Sequence, residues 1–278
     1  MIETRDSIKP LKREYYRIIT LTTDFGTKDP YVSSMKGVIL SIAPEAIIID
    51  ITHEVEPFNV LQGAFILYQA ARWFPARTIH VAVIDPGVGS ERKAVAIKTK
   101  NCTLIGPDNG VLMPTANYFD IVEARDIKKS FFENVSYTFH GRDLFAPAAA
   151  SLLIGMKFED LGPKATSLKT LDFGKIKWTN GRLEAKVLHV DRFGNVITNI
   201  PRDLYLEISS EKRIAITTNK KTLPIKPAFS YFEGKPLELL LLPGSGDFVE
   251  ISCNKGSAAD LLDIKPSDTF ILKFGSSF

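Results

Sequence analysis

RIITLTTDFGTKDPYVSSMKGVILSIAPEAIIIDI, residues 17–51, opens on a short β-branched run at 17–23 that breaks into Asp24-Phe25-Gly26. The spacing then predicts a helix over 31–41, because Val32, Met35, Val38, Ile39 and Ile42 recur on one face. Pro44 ends it, and residues 46–51 read as a second, nearly continuous apolar strand. The rhythm repeats downstream: a helix over 58–74 closed by Pro75, then a third strand, TIHVAVI, at 78–84. Strand–helix–strand–helix–strand with continuous apolar strands is the pattern of a parallel sheet covered on both faces.

Beyond residue 84 the pattern changes. Residues 94–99 and 103–105 read as strands joined by tight loops, and a last clear helix is expected over 144–154 with Asp143 as its cap. Residues 161–181 carry little periodicity, and 166–180 are taken as a linker. From there only short strands are expected, at 183–191, 196–200, 213–218, 237–242, 248–252 and 270–274. The fold class is therefore α/β: an α/β domain with a mostly parallel sheet over 16–165, then a smaller all-β, barrel-like domain over 181–278. Residues 1–15 are polar and aperiodic, a loosely held extension.

The 278 residues include 45% hydrophobic and 24% charged side chains, which excludes a disordered or collagen-like chain. A net charge of +3, with Lys and Arg scattered, argues against nucleic acid or a polybasic membrane contact. Two distant cysteines, Cys102 and Cys253, and a charged N-terminus without an apolar core point to the cytoplasm. No apolar run approaches the ~18 residues of a spanning helix.

Three loops leave the carboxyl ends of the three parallel strands. They are Thr22-Thr23-Asp24-Phe25-Gly26, Thr52-His53-Glu54 and Asp85-Pro86-Gly87-Val88-Gly89. Open α/β sheets bind ligands at that edge, although Asp and Gly also cap and turn everywhere. Asp85 and Arg92 flank six residues between two expected strands; paired as a hairpin, those strands would bring the two side chains together at its mouth. His140 precedes a helix on a Gly-containing loop, an exposed position, whereas His80 and His189 alternate with apolar residues and read as packed. His53 is ambiguous. Asn195, in Asp191-Arg192-Phe193-Gly194-Asn195, could read a purine edge or simply close its turn. Phe229 and Tyr231 offer stacking surfaces or core aromatics, and the segment with Ser245 reads as a hairpin turn.

Thr23-Asp24-Phe25-Gly26-Thr27 with Asp29, Asp85-Pro86-Gly87-Val88-Gly89 with Arg92, Gly106-Pro107-Asp108-Asn109-Gly110, Phe139-His140-Gly141-Arg142-Asp143 and Phe193-Gly194-Asn195-Val196-Ile197-Thr198-Asn199 occur in that order. In this the chain resembles, from residue 17 to 275, the S-adenosylmethionine hydroxide adenosyltransferases, or S-adenosylmethionine hydrolases, related to the fluorinase and chlorinase. The resemblance implies a homotrimer with sites between subunits, and hydrolysis of S-adenosylmethionine to adenosine and methionine by water at C5′, without a cofactor. It implies a catalytic trio of Asp85, Arg92 and His140; the halogenases depart at the Asp and Arg positions. It also implies substrate contacts from Asp24 and Asp85, from Asn195 and Phe229 of a neighbouring barrel, and from Ser245 at the methionine end, with Tyr231 a further binding residue. Gly246 stands where the fluorinase has Arg, so the methionine carboxylate lacks that partner. A carboxylate lined by Arg is a weak base, which favours His140 as proton acceptor. Two other readings compete: a metal-dependent hydrolase with Asp24, His53, Asp85 and His140 as ligands, and a non-catalytic adenosine- or S-adenosylmethionine-binding module.

Overall fold

A computed structural model describes residues 16–275 apart from 129, 130, 180, 212 and 220, so the expected extension at 1–15 lies outside the described residues. The first six strands are β1 (Ile18–Thr23), β2 (Ile47–Thr52), β3 (Ile79–Val83), β4 (Ala94–Thr99), β5 (Thr103–Pro107) and β6 (Ile121–Asp126). They form one sheet in the order β2-β1-β3-β5-β4-β6. Strands β2, β1, β3 and β5 run parallel, while β4 is antiparallel to both β5 and β6. The α-helices of this half are α1 (Tyr31–Ile42), α2 (Val60–Ala71), α3 (Met113–Tyr118) and α4 (Ala146–Leu153), and two short ones follow in the second half, α5 (Tyr205–Ser209) and α6 (Ala258–Leu262).

The period of two in each strand divides the core. Val81 and Val83 of β3 pack with α1 and α4 on one face, and Ala82 with Ile84 packs against α2 and α3 on the other. Both faces of the sheet are thus covered, except at the two edge strands, β2 and β6, where Ile47 and Val122 are about half exposed. Three local expectations are corrected. β3 and β4 are not a hairpin, because β5 lies between them. The helix expected from 58 begins at Val60, because Asn59 caps it, its side chain accepting from the Gln62 N–H at 3.0 Å. Asp143 caps nothing: it sits inside a π turn, Gly141–Phe145, that runs directly into α4. α3 is too short to carry a readable period, and β6, the edge strand Ile-Val-Glu-Ala-Arg-Asp, is largely unburied and shows no alternation.

The second half holds β7 (Lys177–Thr179), β8 (Arg182–Val190), β9 (Val196–Pro201), β10 (Ile214–Thr217), β11 (Thr222–Pro224), β12 (Lys226–Pro227), β13 (Leu239–Pro243), β14 (Phe248–Cys253) and β15 (Thr269–Phe274). They follow the order β11-β10-β15-β8-β9-β14-β13-β12, with β7 added beside β8. Every pairing is antiparallel except β12 with β13. The long strand β8 serves both halves of this nearly closed, barrel-like sheet around one large apolar core, with Ala228, Leu240 and Leu242 forming a small second cluster. α2 ties the two halves together. Its Gln62 meets His189 at 3.1 Å, Phe65 stacks on the His189 ring, and Tyr68 and Arg72 both bond Asp247 of the β13–β14 turn.

Candidate active site

β1 leads to β2 on one side and, by way of β2, to β3 on the other. The carboxyl ends of β1 and β3 therefore flank a point where the strand order reverses, the place where open α/β sheets bind ligands. Asp24 follows β1 and Asp85 follows β3, and both line a cleft of about 270 Å³. Phe25, Tyr31, Phe58, Val88, Phe139 and His140 line it as well. Phe25, Tyr31 and Phe139 form a mutual edge-on cluster, with centroids 5.2–6.0 Å apart.

The loop from Asp85 to Arg92 is braced at both ends. The Asn109 side chain donates to the Ile84 carbonyl at 2.7 Å, and the Asp108 N–H donates to the Lys93 carbonyl at 2.8 Å. The Gly106–Gly110 turn signature is therefore the support beneath this loop. Inside it, Ser90 Oγ donates to the Gly87 carbonyl and accepts the Arg92 N–H. Gly89 has φ +77°, and a Cβ there would lie 2.7 Å from the Tyr137 carbonyl, so only glycine lets the two loops touch.

Arg92 grips Asp85 side-on. Its Nε donates to Oδ1 at 2.9 Å and its Nη2 to Oδ2, with both side chains only 5% exposed. Nη2 also lies 2.7 Å from Nδ1 of His140, and the guanidinium packs over the Phe145 ring of the π turn. Arginine only donates, so this contact makes Nδ1 an acceptor and assigns the proton of neutral His140 to Nε2. Burial lowers the His140 pKa, and the Arg92 charge lowers it further against opposing pulls from Asp85 and Asp143; the ring is neutral at neutral pH. Asp24 goes the other way. Burial raises its pKa, the Asp85 charge adds to that, and the Phe58 N–H donating at 2.9 Å partly offsets both.

Asp24, Asp85, Arg92 and His140 are therefore brought together. The barrel residues are not part of this cleft. Asn195 closes its own turn, donating from Nδ2 to Asp191 at 2.8 Å, and with Tyr231 lines a separate cavity of about 620 Å³. Tyr231 donates to Glu250 at 2.8 Å. Phe229 lines a third cavity beside Tyr205, and Ser245 is exposed in the β13–β14 turn. His53 is buried away from the cleft, with Nδ1 2.9 Å from Thr23 Oγ1 and Nε2 3.1 Å from Asp50. Among the described residues no three His, Cys, Asp or Glu side chains are grouped so that a metal ion could be held, so the ligand set of the metal reading does not assemble. Sequence reasoning missed Tyr31 and Phe58 as cleft residues. Tyr31 is the first residue of α1, and Phe58 faces the cleft because its φ of +68° takes it out of the helix.

A nucleoside-sized cleft at the reversal point of an α/β sheet, joined to a β-barrel-like domain, defines a two-domain small-molecule-binding protein. Sequence comparison gives the family. The profile of the SAM hydroxide adenosyltransferase N-terminal domain matches residues 19–162, and that of the C-terminal domain matches 185–271. The chain belongs to this family. A protein of Methanocaldococcus jannaschii named (R)-S-adenosyl-L-methionine hydrolase is 40% identical over 261 residues, 89% of this chain and 92% of its own length. An Actinoplanes protein named fluorinase is 27% identical, covering 66% of this chain and 72% of its own. A crystal structure of an uncharacterized conserved protein from Thermotoga maritima superposes with a TM-score of 0.85 at 40% identity, covering 92% of this chain and 99% of the other.

Proposed function

We propose that the protein hydrolyses S-adenosyl-L-methionine to adenosine and L-methionine. The observation that carries this is the Asp85–Arg92–His140 cluster at the wall of an acidic and aromatic cleft. Among the described residues that line the cleft itself there are two carboxylates and several aromatic rings and no Lys or Arg, a lining suited to a sulfonium cation. The sulfonium is already a good leaving group, so the chain has to supply alignment and a nucleophile rather than an electrophilic cofactor. In-line placement of oxygen, C5′ and sulfur can remove about 7–11 kcal/mol of barrier.

The oxygen of a bound water forms the bond to C5′ as the C5′–S bond breaks, and that electron pair stays on sulfur as the thioether of methionine. Because Nδ1 of His140 is occupied by Arg92, its Nε2–H orients the water as a donor, and the released proton passes to a free lone pair of Asp85 and on to solvent. This reverses the sequence-based preference for His140 as base. Arg92 holds the charge that develops across the pair. Asp24 suits the ribose hydroxyls, as an acceptor fixed by Phe58. The relatives' names specify the (R) epimer at sulfur, and the same preference is assigned to this chain.

We further infer a homotrimer in which the Asn195, Phe229, Tyr231 and Ser245 face of one barrel completes the cleft of a neighbour. Its support is that one chain keeps Asn195, Phe229 and Tyr231 in cavities apart from the trio, and Ser245 in an exposed turn. Residues 16–165 are then the catalytic unit and 181–278 the completing one. The two cysteines are buried and unpaired, which suits the cytoplasm, and no helix among the described residues is long and apolar enough to cross a membrane. The deciding experiment supplies each sulfonium epimer in ¹⁸O-water and weighs the nucleoside. Label in adenosine with methionine released is expected, faster from the (R) epimer. Tight binding with no product would instead favour a binding module.

A further inference from the structure

His140 is only as well placed as the segment that carries it. That segment, residues 136–140, is a turn-rich strap laid over the Asp85–Arg92 loop, in touch with it where the Tyr137 carbonyl meets Gly89. The strap is tied down from behind by one side chain. Asp143 sits three residues after His140 in the π turn, its side chain 5% exposed, and its Oδ2 accepts the Ser136 N–H at 2.8 Å. The Asp143 N–H reaches back to the Phe139 carbonyl at 3.1 Å, which closes a ring around Thr138, Phe139 and His140.

The same carboxylate also takes Arg142, from Nε at 2.5 Å and from Nη2 at 2.9 Å. So oriented, the Arg142 guanidinium lies 5.0 Å over the Phe139 ring, on the wall of the cleft. Asp143 thus fixes two cleft-lining residues and touches neither the cleft nor Arg92. A π turn of one extra residue is a local cost that recurs at functional sites. Here it places Asp143 where both ends of the strap meet.

Building on the hydrolase reading above, we propose that Asp143 is a positioning residue of this active site. Its carboxylate anchors the 136–140 strap so that Nδ1 of His140 meets Arg92, and its negative charge acts on the His140 ring. The charged groups that bear on that ring are Arg92, Asp85 and Asp143, and the Asp143 contribution favours protonation. Removing it therefore moves the His140 titration to lower pH, as does the Arg142 charge left without its partner.

The test compares wild type with Asp143→Asn and Asp143→Ala, using two readouts. The first is the imidazole NMR titration of His140, picked out from only four histidines by its loss in His140→Gln. The second is kcat and KM for S-adenosylmethionine. In Asp143→Asn the amide oxygen still accepts Ser136, so the anchor of the strap is kept while the charge and the Arg142 Nε bond are lost. The expected result is a His140 midpoint lower on the order of half a pH unit, the scale of one screened charge. Asp143→Ala also releases the strap, and kcat is expected to fall about 10²-fold with KM changed far less. If Asp143→Ala does not fold, Asp143→Asn decides. A His140 titration unchanged from wild type in every folded variant overturns the proposal, whatever the turnover. A wild type that releases no adenosine would sink the hydrolase reading, and the NMR titration would still decide the role of Asp143.

Discussion

Arg92 does three things with one planar group: it neutralises Asp85, fixes the tautomer of His140 and packs on Phe145. Lysine keeps the charge but cannot reproduce a side-on pair and a third bond at once. Arg92→Lys is therefore expected to lose about 10²–10³-fold in kcat while adenosine still binds, read by steady-state kinetics beside calorimetry. Turnover equal to wild type would remove Arg92 from the mechanism. The pH dependence follows from the same contact. Protonating Nδ1 sets an imidazolium against a guanidinium, so kcat/KM should hold through neutrality and fall only as pH drops through the lowered His140 pKa, below the ordinary 6.5. An acid limb centred above 6.5 would contradict this. Much of the site was legible at this scale: Asp85 and Arg92 as a spaced pair, His140 by its loop. Their convergence was legible only through the family resemblance and not through spacing, because 48 residues separate Arg92 from His140 and the hairpin expected to join Asp85 to Arg92 is interrupted by β5. Nor was Phe58, whose place depends on a left-handed backbone angle that no side-chain pattern announces.

At the scale of elements, β1 and β3 are joined by more than their ladder. Thr20 of β1 meets Nδ1 of His80 on β3 at 2.7 Å, and burial pushes the His80 pKa down to about 3. Between pH 6.5 and about 3 the unfolded chain thus holds a proton that the folded chain refuses. The stability associated with neutral His80 is complete above 6.5 and is lost as pH falls toward the folded value, at up to about 1.4 kcal/mol per pH unit. His80→Gln, which can still bond Thr20, should flatten urea-derived stability against pH in that window relative to wild type. Parallel curves would refute the assignment. These strands were readable from sequence because β1 and β3 lie under helices on both faces and carry continuous apolar runs. All six strands expected after residue 181 are present as β8, β9, β10, β13, β14 and β15. What escaped were elements held by tertiary contact rather than local pattern. β12 is two residues long, α3 has one turn and a half, and the π turn looked like a capped helix because Asp before an apolar run is the ordinary capping signal.

For the whole molecule, the composite site proposed above sets a geometric condition on one chain. α2 holds the barrel against the sheet through Gln62–His189 and the Tyr68–Arg72–Asp247 cluster, a contact that leaves Asn195 and Phe229 in cavities that share no lining residue with the trio. If those barrel residues touch the nucleoside, they come from a second copy, and closed rotational symmetry then gives every cleft the same composite make-up. Such sites can be reconstituted from broken parts. His140→Gln spoils the sheet half of a site and leaves its barrel intact, whereas Asn195→Ala does the reverse. Co-expressed in equal amounts, the two chains assemble at random, and a site works only where a good sheet half meets a good barrel half. That combination arises at about one site in four, so two nearly inactive proteins should together show about a quarter of wild-type kcat per site. Sites contained within one chain would show no gain, because every chain would still carry its own defect. Sedimentation of the mixture separates the remaining case: monomers with no gain reject the composite site, whereas trimers with no gain keep the assembly but remove Asn195 from the neighbour's cleft.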